Sequence, residues 1–580
     1  MVYSSTNLYN RLTISQDTIS NKNESVDTLE KTIESNRVRP VSTSGFFDSI
    51  QLFHREIEKC YGHLPWPSNL RKICVCTQVQ GGRGDISAAA KVIALMQRSH
   101  PSLHFDWVIQ GSNSEKIMAS EFIDIFEDRS KVVISEFKEF PENSQIDLLI
   151  LGPFDGSSKR ILQSKIQRNI PVFFFMENAA AVNGRIVGDR IAYEVRHLMN
   201  ADSLHYPNLH SILFPYSYNN VPIISMGLQK GSGVFLDRFR INAFLSQGYF
   251  GPEYLYSIQE EKLKNQILYS FNGNFNNDEV SFNFGYAHNC SSWMNFIDCI
   301  AMQEKNKNVV VVLNQEGAST RGFVSAKDFA EKIFTELRID FLRNEGYENI
   351  IIKSEDTEDI IVNSGVHLEK KFTVILRQKF AYIDVKYMQL AAERILATGD
   401  NSAAEAWSAK CKLYLYDVYS LGYKDIFLNQ QVKVANECSE NVGKILELFY
   451  SYVQQDSVKT KEEFDRKNLL FRRLLNAPSL QDETLAFCDK IVKEYDFEKI
   501  LENSLKRCVW IHTNPHLKQI EIEKIDQDVK DQILLSFQNK SYENLSFSSE
   551  QFTGIQKHIQ DDAISNGLIL FLKRIFNWIL

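Results

Sequence analysis

The chain has few cysteines and no long apolar run, and both absences restrict what kind of protein it is. Its nine cysteines among 580 residues are scattered, and the close pair Cys74 and Cys76 is not followed by a second pair at zinc-binding spacing. We therefore expect buried free thiols in a reducing compartment. No apolar stretch reaches the roughly 18 residues that a membrane-spanning helix needs. The first residues also lack the basic and apolar regions of a secretory signal.

An excess of positive charge is missing too. The formal net charge is -8, from 65 basic and 73 acidic side chains. A protein that binds nucleic acid through bulk phosphate attraction carries the opposite sign, so no nucleic-acid partner is expected. Hydrophobic residues make up 44% of the chain and charged residues 24%, which is typical of globular proteins. We expect a cytoplasmic protein, or one exported without a Sec-type signal peptide, as a secreted bacterial effector would be.

The sequence divides into four segments that differ in pattern. Residues 1–44 are rich in Ser, Thr, Asn and charge, which predicts a polar N-terminal arm. Residues 45–262 and 263–428 each alternate short apolar runs with amphipathic stretches, the pattern of a parallel sheet covered by helices on both faces. Residues 429–580 have the pattern of helices. The predicted fold class is therefore α/β: two Rossmann-like domains facing a cleft, with an added α-helical C-terminal region.

Strands are predicted where a short apolar run is bounded by polar or turn residues. In the first of the two α/β segments these runs are 72–77, 105–109, 131–134, 147–151 and 171–175. In the second they are 267–271, 280–284, 308–313, 372–376, 395–398 and 412–416.

The first candidate functional motif is Gly81–Ser87, which directly follows the first predicted strand and opens the first helix. Its glycines allow a tight turn and a close approach of a ligand to the main chain. The start of a helix also offers free N–H groups and a positive dipole to an anion. The glycine spacing is neither that of a dinucleotide fingerprint nor that of a P-loop. Capping of the helix by Asp85 is the structural alternative.

The second motif, Ala397–Lys410, joins a strand to a helix in the second half. Backbone N–H groups of residues 400–403 would point outward at an anion. Because Glu405 follows Ser402 by three residues, a capping box is the structural alternative. Two α/β halves that each carry such a loop form a cleft between the carboxyl ends of their strands, where open α/β sheets bind ligands.

This combination resembles the GT-B glycosyltransferases, and the likeness is strongest to the inverting bacterial protein-arginine rhamnosyltransferases. Those enzymes carry a Gly-Asp-Ile loop after the first strand, as residues 84–86 do here, and a helix start similar to residues 399–410. Residues 387–396 resemble the helix and strand that lead into the diphosphate site, and residues 282–286 the aromatic strand of the C-terminal domain. The chain departs from the family at Arg83, at Lys410 and in the length of its C-terminal region.

The resemblance implies a sugar transfer from a nucleotide-diphosphate sugar, as co-substrate, to a protein or other large acceptor. Asp85 would be the general base, and no cofactor or metal ion is implied; the pair Asp526 and Asp528 is interpreted as part of a solvated face. The implied donor and phosphate site comprises Arg377, Gly399, Asp400, Asn401, Ser402 and Glu405. The residues implied to stack on the nucleobase are Phe282, Phe284 and Tyr286. The acceptor side would be lined by Gly82, Arg83, Gly84, Glu177 and Asn178.

Several alternatives stay open at this point. If Arg377 does not bind the diphosphate, it is a solvated charge at a strand end. If the three aromatic residues do not stack on the nucleobase, they belong to the core. His288 is a second candidate for the general base. The protein as a whole could instead be a nucleotide-sugar epimerase of the same architecture, or an interaction protein that acts through its helical region with a vestigial cleft. Residues 567–580 either pack back on the N-terminal domain as a last helix, which is favoured, or lie in a membrane interface.

Overall fold

The computed structural model describes residues 55, 58–59, 61–79, 83–110, 113–139, 145–152, 170–176, 223–228, 233–247, 251–271, 279–304, 306–314, 325–354, 359–363, 370–418, 427–454 and 460–514. The predictions for the arm 1–44, for Gly82, for Glu177 and Asn178, and for residues 567–580 lie outside the described residues, as does the pair Asp526 and Asp528.

The first sheet has six parallel strands in the order β3-β2-β1-β4-β5-β6. The strands are β1 (Lys72–Gln78), β2 (His104–Gln110), β3 (Val132–Glu136), β4 (Leu148–Leu151), β5 (Val172–Met176) and β6 (Ile223–Ser225). The helices described in this half are α1 (Arg83–Ser99), α2 (Asn113–Ser120) and α3 (Arg238–Gln247). Four of the strands are central and apolar, as parallel strands covered on both faces must be.

The second sheet has seven strands in the order β10-β9-β11-β8-β7-β12-β13, and β10 alone among them pairs antiparallel. The strands are β7 (Val280–Tyr286), β8 (Asn308–Asn314), β9 (Asn349–Lys353), β10 (Ile360–Asn363), β11 (Lys371–Arg377), β12 (Arg394–Thr398) and β13 (Leu413–Asp417). The helices described with it are α4 (Glu261–Ser270), α5 (Cys290–Gln303), α6 (Ala326–Ile333), α7 (Glu336–Asn344), α8 (Tyr382–Ala391) and α9 (Asp400–Ala409).

A helical region follows, as predicted. Its described helices are α10 (Asn429–Asn436), α11 (Glu440–Gln454), α12 (Lys461–Leu475), α13 (Leu480–Glu494) and α14 (Phe497–Thr513). Helix α14 returns to the first sheet: Phe497 meets Phe235 edge to face at 5.2 Å, and the Trp510 indole donates to the Pro65 carbonyl at 3.0 Å. A helix of the C-terminal helical region therefore covers part of the core of the first sheet.

The α/β fold class is confirmed, with both sheets and the C-terminal helices in the predicted order. One predicted strand is wrong, because residues 267–271 fall mainly in helix α4. Its buried residues Leu263 and Ile267 are four apart, which is helical spacing, and a window of five residues is too short to show it. Strands β6, β9 and β10 were not predicted. No helix in the described part of the chain is long and apolar enough to cross a membrane.

Candidate functional site

Each sheet reverses its strand order at one point, and that point defines where a ligand would bind. In the first sheet the chain builds β2 and β3 on one side of β1 and then β4 to β6 on the other. In the second it builds β8 and its neighbours on one side of β7, and then β12 and β13 on the other. The crevices at the carboxyl ends of β1/β4 and of β7/β12 are therefore the topological switch points, where open α/β sheets bind ligands.

The described part of the first predicted motif, residues 83–87, lies at the first of these switch points. Helix α1 begins at Arg83, shortly after β1, and Asp85 lies within its first turn, half-buried. An N-cap residue lies just before the first residue of its helix. Because α1 begins at Arg83, Asp85 is already the third helical residue and is not the N-cap. Gly84 is half-buried beside it. The Asp85 carboxylate thus lies at the crevice end of α1.

The second predicted motif lies at the other switch point, where α9 follows β12. Gly399 precedes the helix with φ 75°, a left-handed conformation that favours glycine, and gives the helix no side-chain cap. A methyl group added at Gly399 would meet no atom of the described structure within 4 Å. Asp400 and Asn401 are buried, whereas Ser402 is half-exposed. The start of α9 is therefore approachable from the crevice.

Glu405 has no part in a capping box. Because α9 begins at Asp400, Ser402 is already the third helical residue and cannot be the N-cap that a capping box needs. The Glu405 carboxylate is buried and instead forms an ion pair with the Lys91 ammonium at 3.3 Å. That contact crosses from the second half of the chain to the first.

A fully buried aspartate that the sequence did not indicate fixes the turn between β7 and α5. Asp417, at the end of β13, accepts from the His288 backbone N–H at 2.7 Å, the Asn289 amide at 2.7 Å and the Ser292 hydroxyl at 2.5 Å. These bonds hold the connection from β7 to α5. They place the half-exposed rings of Tyr286 and His288, 5.3 Å apart, at the carboxyl edge of the sheet.

The two halves meet through a group of polar side chains that we call the junction cluster, all of them buried except the partly buried Tyr382. Its members are Lys91 on α1, Asp237 and Arg240 at the start of α3, Tyr382 and Lys386 on α8, and Glu405 on α9. The Lys91 ammonium donates to Asn401 Oδ1 at 2.5 Å, and the Arg240 guanidinium to Asp237 Oδ2 at 2.5 Å. The sequence reasoning missed the cluster, although one signal was present: Lys91 is a lone charge inside the apolar run 88–96.

The charges within the junction cluster set its electrostatics. Burial alone would raise the pKa of Asp237, but the charges of Arg240 and Lys386 more than offset it and hold that pKa well below its usual range. Burial raises the pKa of the Tyr382 phenol far above its ordinary value, an effect that Glu405 reinforces. Asp237 is therefore a fixed anion and Tyr382 a neutral donor at physiological pH.

The predicted donor residue Arg377 lies elsewhere. It is fully buried at the end of β11, where its guanidinium pairs with Glu260 at 2.9 Å and donates to Gln266 at 2.9 Å. The alternative of a solvated strand-end charge is therefore wrong. Two strands, β8 and β7, separate β11 from β12, and three strand spacings amount to about 14 Å. The structure does not bring Arg377 to the start of α9.

Two of the three predicted stacking residues belong to the core. Phe282 and Phe284 are buried, with ring centroids 6.5 Å from Phe271 and 6.0 Å from Phe380. Their burial agrees with the alternative that strand-end aromatic residues pack inside. Tyr286 stays half-exposed at the strand end, so the prediction of base stacking now concerns this residue alone.

No group of three or more His, Cys, Asp or Glu side chains that could hold a metal ion occurs among the described residues. Metal independence itself stays a prediction.

A family model described as a protein of unknown function (DUF562) matches residues 292–438, from α5 to just beyond α10. No curated protein matches the chain.

Several solved structures are similar to it. A glycosyltransferase from Rickettsia africae has 9% identity and a TM-score of 0.34, over 77% of this chain and 100% of that one. The UDP-GlcNAc 2-epimerase of Neisseria meningitidis, bound to UDP-GlcNAc, has 14% identity and a TM-score of 0.34, over 75% of this chain and 100% of that one. UGT71G1 of Medicago truncatula, complexed with UDP-glucose, has 10% identity and a TM-score of 0.38, over 76% of this chain and 98% of that one. Similarity at this level does not establish an activity.

Proposed function

We propose that the chain is a GT-B-type glycosyltransferase that transfers a sugar from a nucleotide-diphosphate sugar to a protein or other large acceptor. One observation supports the proposal: the two helices that follow the loops singled out in the sequence begin at the switch points of two different sheets and are in direct contact. The contact is the Lys91 ammonium of α1 against Asn401 in the first turn of α9, at 2.5 Å.

The start of α9 is the proposed site of the donor diphosphate. Backbone N–H groups at a helix N-terminus and the positive end of the helix dipole favour a phosphate group. Gly399 leaves the approach open and itself supplies no side-chain oxygen, whereas the Asp400 carboxylate accepts from one of these groups, the Asn401 N–H, at 3.0 Å. Ser402, half-exposed in the same turn, would offer its hydroxyl to the ligand. A phosphate site of this kind needs no overall positive charge.

Asp85 is the proposed general base. It precedes Lys91, the residue of α1 that touches α9, by six residues, which is about 9 Å along a helix axis. Asp85 is therefore nearer to the crevice than Lys91 is. In the reaction the acceptor nucleophile would attack the anomeric carbon while Asp85 takes its proton. The bond from that carbon to the diphosphate oxygen would break, and the diphosphate would leave with the electron pair. A single displacement of this kind inverts the anomeric configuration.

The test is turnover of a panel of UDP-, GDP- and dTDP-sugars, measured as release of the nucleoside diphosphate. Asp85→Asn is expected to lower kcat about 10²- to 10⁴-fold, the usual contribution of a general base, with little change in donor binding. Asp106→Asn is the matched control, because Asp106 lies in the same half of the chain, on β2, but pairs with Lys72 at 2.7 Å. If no donor binds or turns over, the proposal is refuted and an interaction protein becomes the better hypothesis.

An epimerase of the same architecture is the second candidate. One observation favours it: Asp237 and Glu405 form a pair of carboxylates in the junction cluster, with the Tyr382 hydroxyl 3.4 Å from one and 3.2 Å from the other. The low pKa of Asp237 counts against a proton-shuttling role for that residue, since it stays ionised. The same panel separates the two functions, because an epimerase converts a nucleotide sugar into its epimer with no acceptor present.

A further inference from the structure

Lys386 is a buried cation without a hydrogen-bond acceptor. The residue is 8% exposed, and its nearest carboxylate oxygen is Asp237 Oδ2 at 3.8 Å, beyond hydrogen-bond distance. Two aromatic rings enclose the ammonium, Tyr382 at 4.8 Å and Phe239 at 5.3 Å from their centroids. Within the part of the chain that the structure describes, nothing accepts a hydrogen bond from Lys386. Since a buried ammonium is costly unless it is both paired and hydrogen-bonded, this long ion pair with Asp237 compensates the burial of Lys386 only in part.

The charges of the junction cluster do not balance. Lys91, Arg240 and Lys386 contribute three positive charges, and Asp237 and Glu405 contribute two negative ones.

The two carboxylates are already in use. Asp237 accepts from the backbone N–H of Arg240 at 2.9 Å and from the guanidinium of the same residue at 2.5 Å. Glu405 receives Lys91 at 3.3 Å and lies 3.6 Å from Arg240 Nη2. Lys386 is therefore the surplus cation. Arg240 Nε, fully buried, has no hydrogen-bond acceptor in the described structure either.

The titration of Lys386 agrees with a missing anion. Burial lowers the pKa of its ammonium, and the charges of Asp237 and Glu405 offset this only in part. Arg240 and Lys91 lower the pKa of Lys386 further. A negative ligand placed against the ammonium would reverse the effect.

We propose that Lys386 binds the phosphoryl group of an anionic ligand in the crevice between the two halves. The inference rests on the proposed function in one respect: we take this ligand to be the leaving diphosphate of the nucleotide sugar. Lys386 then supplies the basic group that the sequence had assigned to Arg377, whose guanidinium is occupied by Glu260. Phe239, which covers the ammonium, is 43% exposed, so this side of the cluster reaches the surface.

The test is isothermal titration of the full chain with inorganic pyrophosphate and, separately, with UDP, GDP and dTDP. Lys386→Met removes the charge and keeps the length of the side chain, whereas Lys386→Arg keeps the charge. Lys353→Met is the matched control: Lys353 is also buried, stands 4.6 Å from the Tyr269 ring centroid and pairs with Asp359 at 3.5 Å.

Wild type is expected to bind pyrophosphate, Lys386→Met to bind it at least tenfold more weakly, and Lys386→Arg and Lys353→Met to stay within a few-fold of wild type. The unfolding midpoint of ligand-free Lys386→Met should not fall below that of wild type, because the variant loses a surplus buried charge. Equal pyrophosphate binding by wild type and Lys386→Met, or no binding by wild type at millimolar concentration, would overturn the proposal. Pyrophosphate binding that depends on Lys386 without turnover of any nucleotide sugar would support the anion site and refute the glycosyltransferase.

Discussion

Gly399→Ala separates the backbone requirement at the start of α9 from the space around it. The φ of 75° is unfavourable for alanine, and strain of this kind costs about 1–3 kcal/mol. The added methyl group meets nothing within 4 Å, so no steric contribution is expected. Alanine also restricts the unfolded chain, which returns about 0.4–1 kcal/mol. The net loss of unfolding free energy should be about 1–2 kcal/mol.

Urea unfolding followed by tryptophan fluorescence measures this loss. Trp407 in α9 and Trp293 in α5 are both fully buried and report on this half of the protein. Gly285→Ala is the control, because there the added methyl group has no space. Its new methyl would lie 2.7 Å from Leu313 Cδ2 and 3.1 Å from the Phe296 ring, an overpacking that costs about 1–3 kcal/mol.

The two variants should differ in ligand binding. The methyl of Gly399→Ala enters the space where the phosphate would approach α9, so pyrophosphate affinity should fall at least tenfold. Gly285→Ala should lose stability with little loss of affinity. A loss above about 4 kcal/mol for Gly399→Ala would mean that the methyl does meet other atoms, since strain alone does not reach that value. Unchanged pyrophosphate affinity would refute the placement of the phosphate at α9.

The remaining predictions concern stability. Trp407→Ala should lower the unfolding free energy in urea by about 3–5 kcal/mol, because the indole is fully buried and packs against three aromatic rings. Lys467→Met should cost about 3 kcal/mol, since the ammonium donates to Asp298 at 2.6 Å in a buried site; a midpoint equal to wild type would contradict this. Asp237→Asn should destabilise at pH 7 by about 3–5 kcal/mol because it removes the nearer anion of the buried Arg240 and leaves only Glu405, at 3.6 Å. Because the pKa of Asp237 is lower in the folded than in the unfolded chain, the stabilisation that its charge gives wild type is lost as the pH falls below about 3.9. The unfolding curves of the two proteins should therefore converge in acid.

Much of the fold could be predicted because its signals are local. The four-valine run of β8 and the short apolar runs of the first sheet show buried parallel strands within five or six residues. The failures have the same origin. A helix such as α4 shows its period only over two turns. The short strand β10 lies at the sheet edge, where few residues are constrained by burial, and β9 is its neighbour.

The candidate site was predicted where it depends on one loop. Asp85 and Gly399 each follow a strand and open a helix, an order that the sequence states directly. Arg377 was assigned to the diphosphate from the same kind of local pattern. Its distance from α9 depends on strand order, which places β8 and β7 between them. Nothing near residue 377 in the sequence carries that information.

The sequence by itself determined the two Gly/Asp loops, the strands and helices that they join, and the succession of two α/β halves and a helical region. Only the tertiary structure decided which charges meet. Lys91, Asp237, Lys386 and Glu405 are far apart in the chain and come within contact distance because α1, α3, α8 and α9 pack together. The reason is physical: local geometry follows from neighbouring residues, whereas the partner of a buried charge is fixed by the packing of whole elements. The same packing leaves Lys386 without a hydrogen-bond acceptor among the described residues.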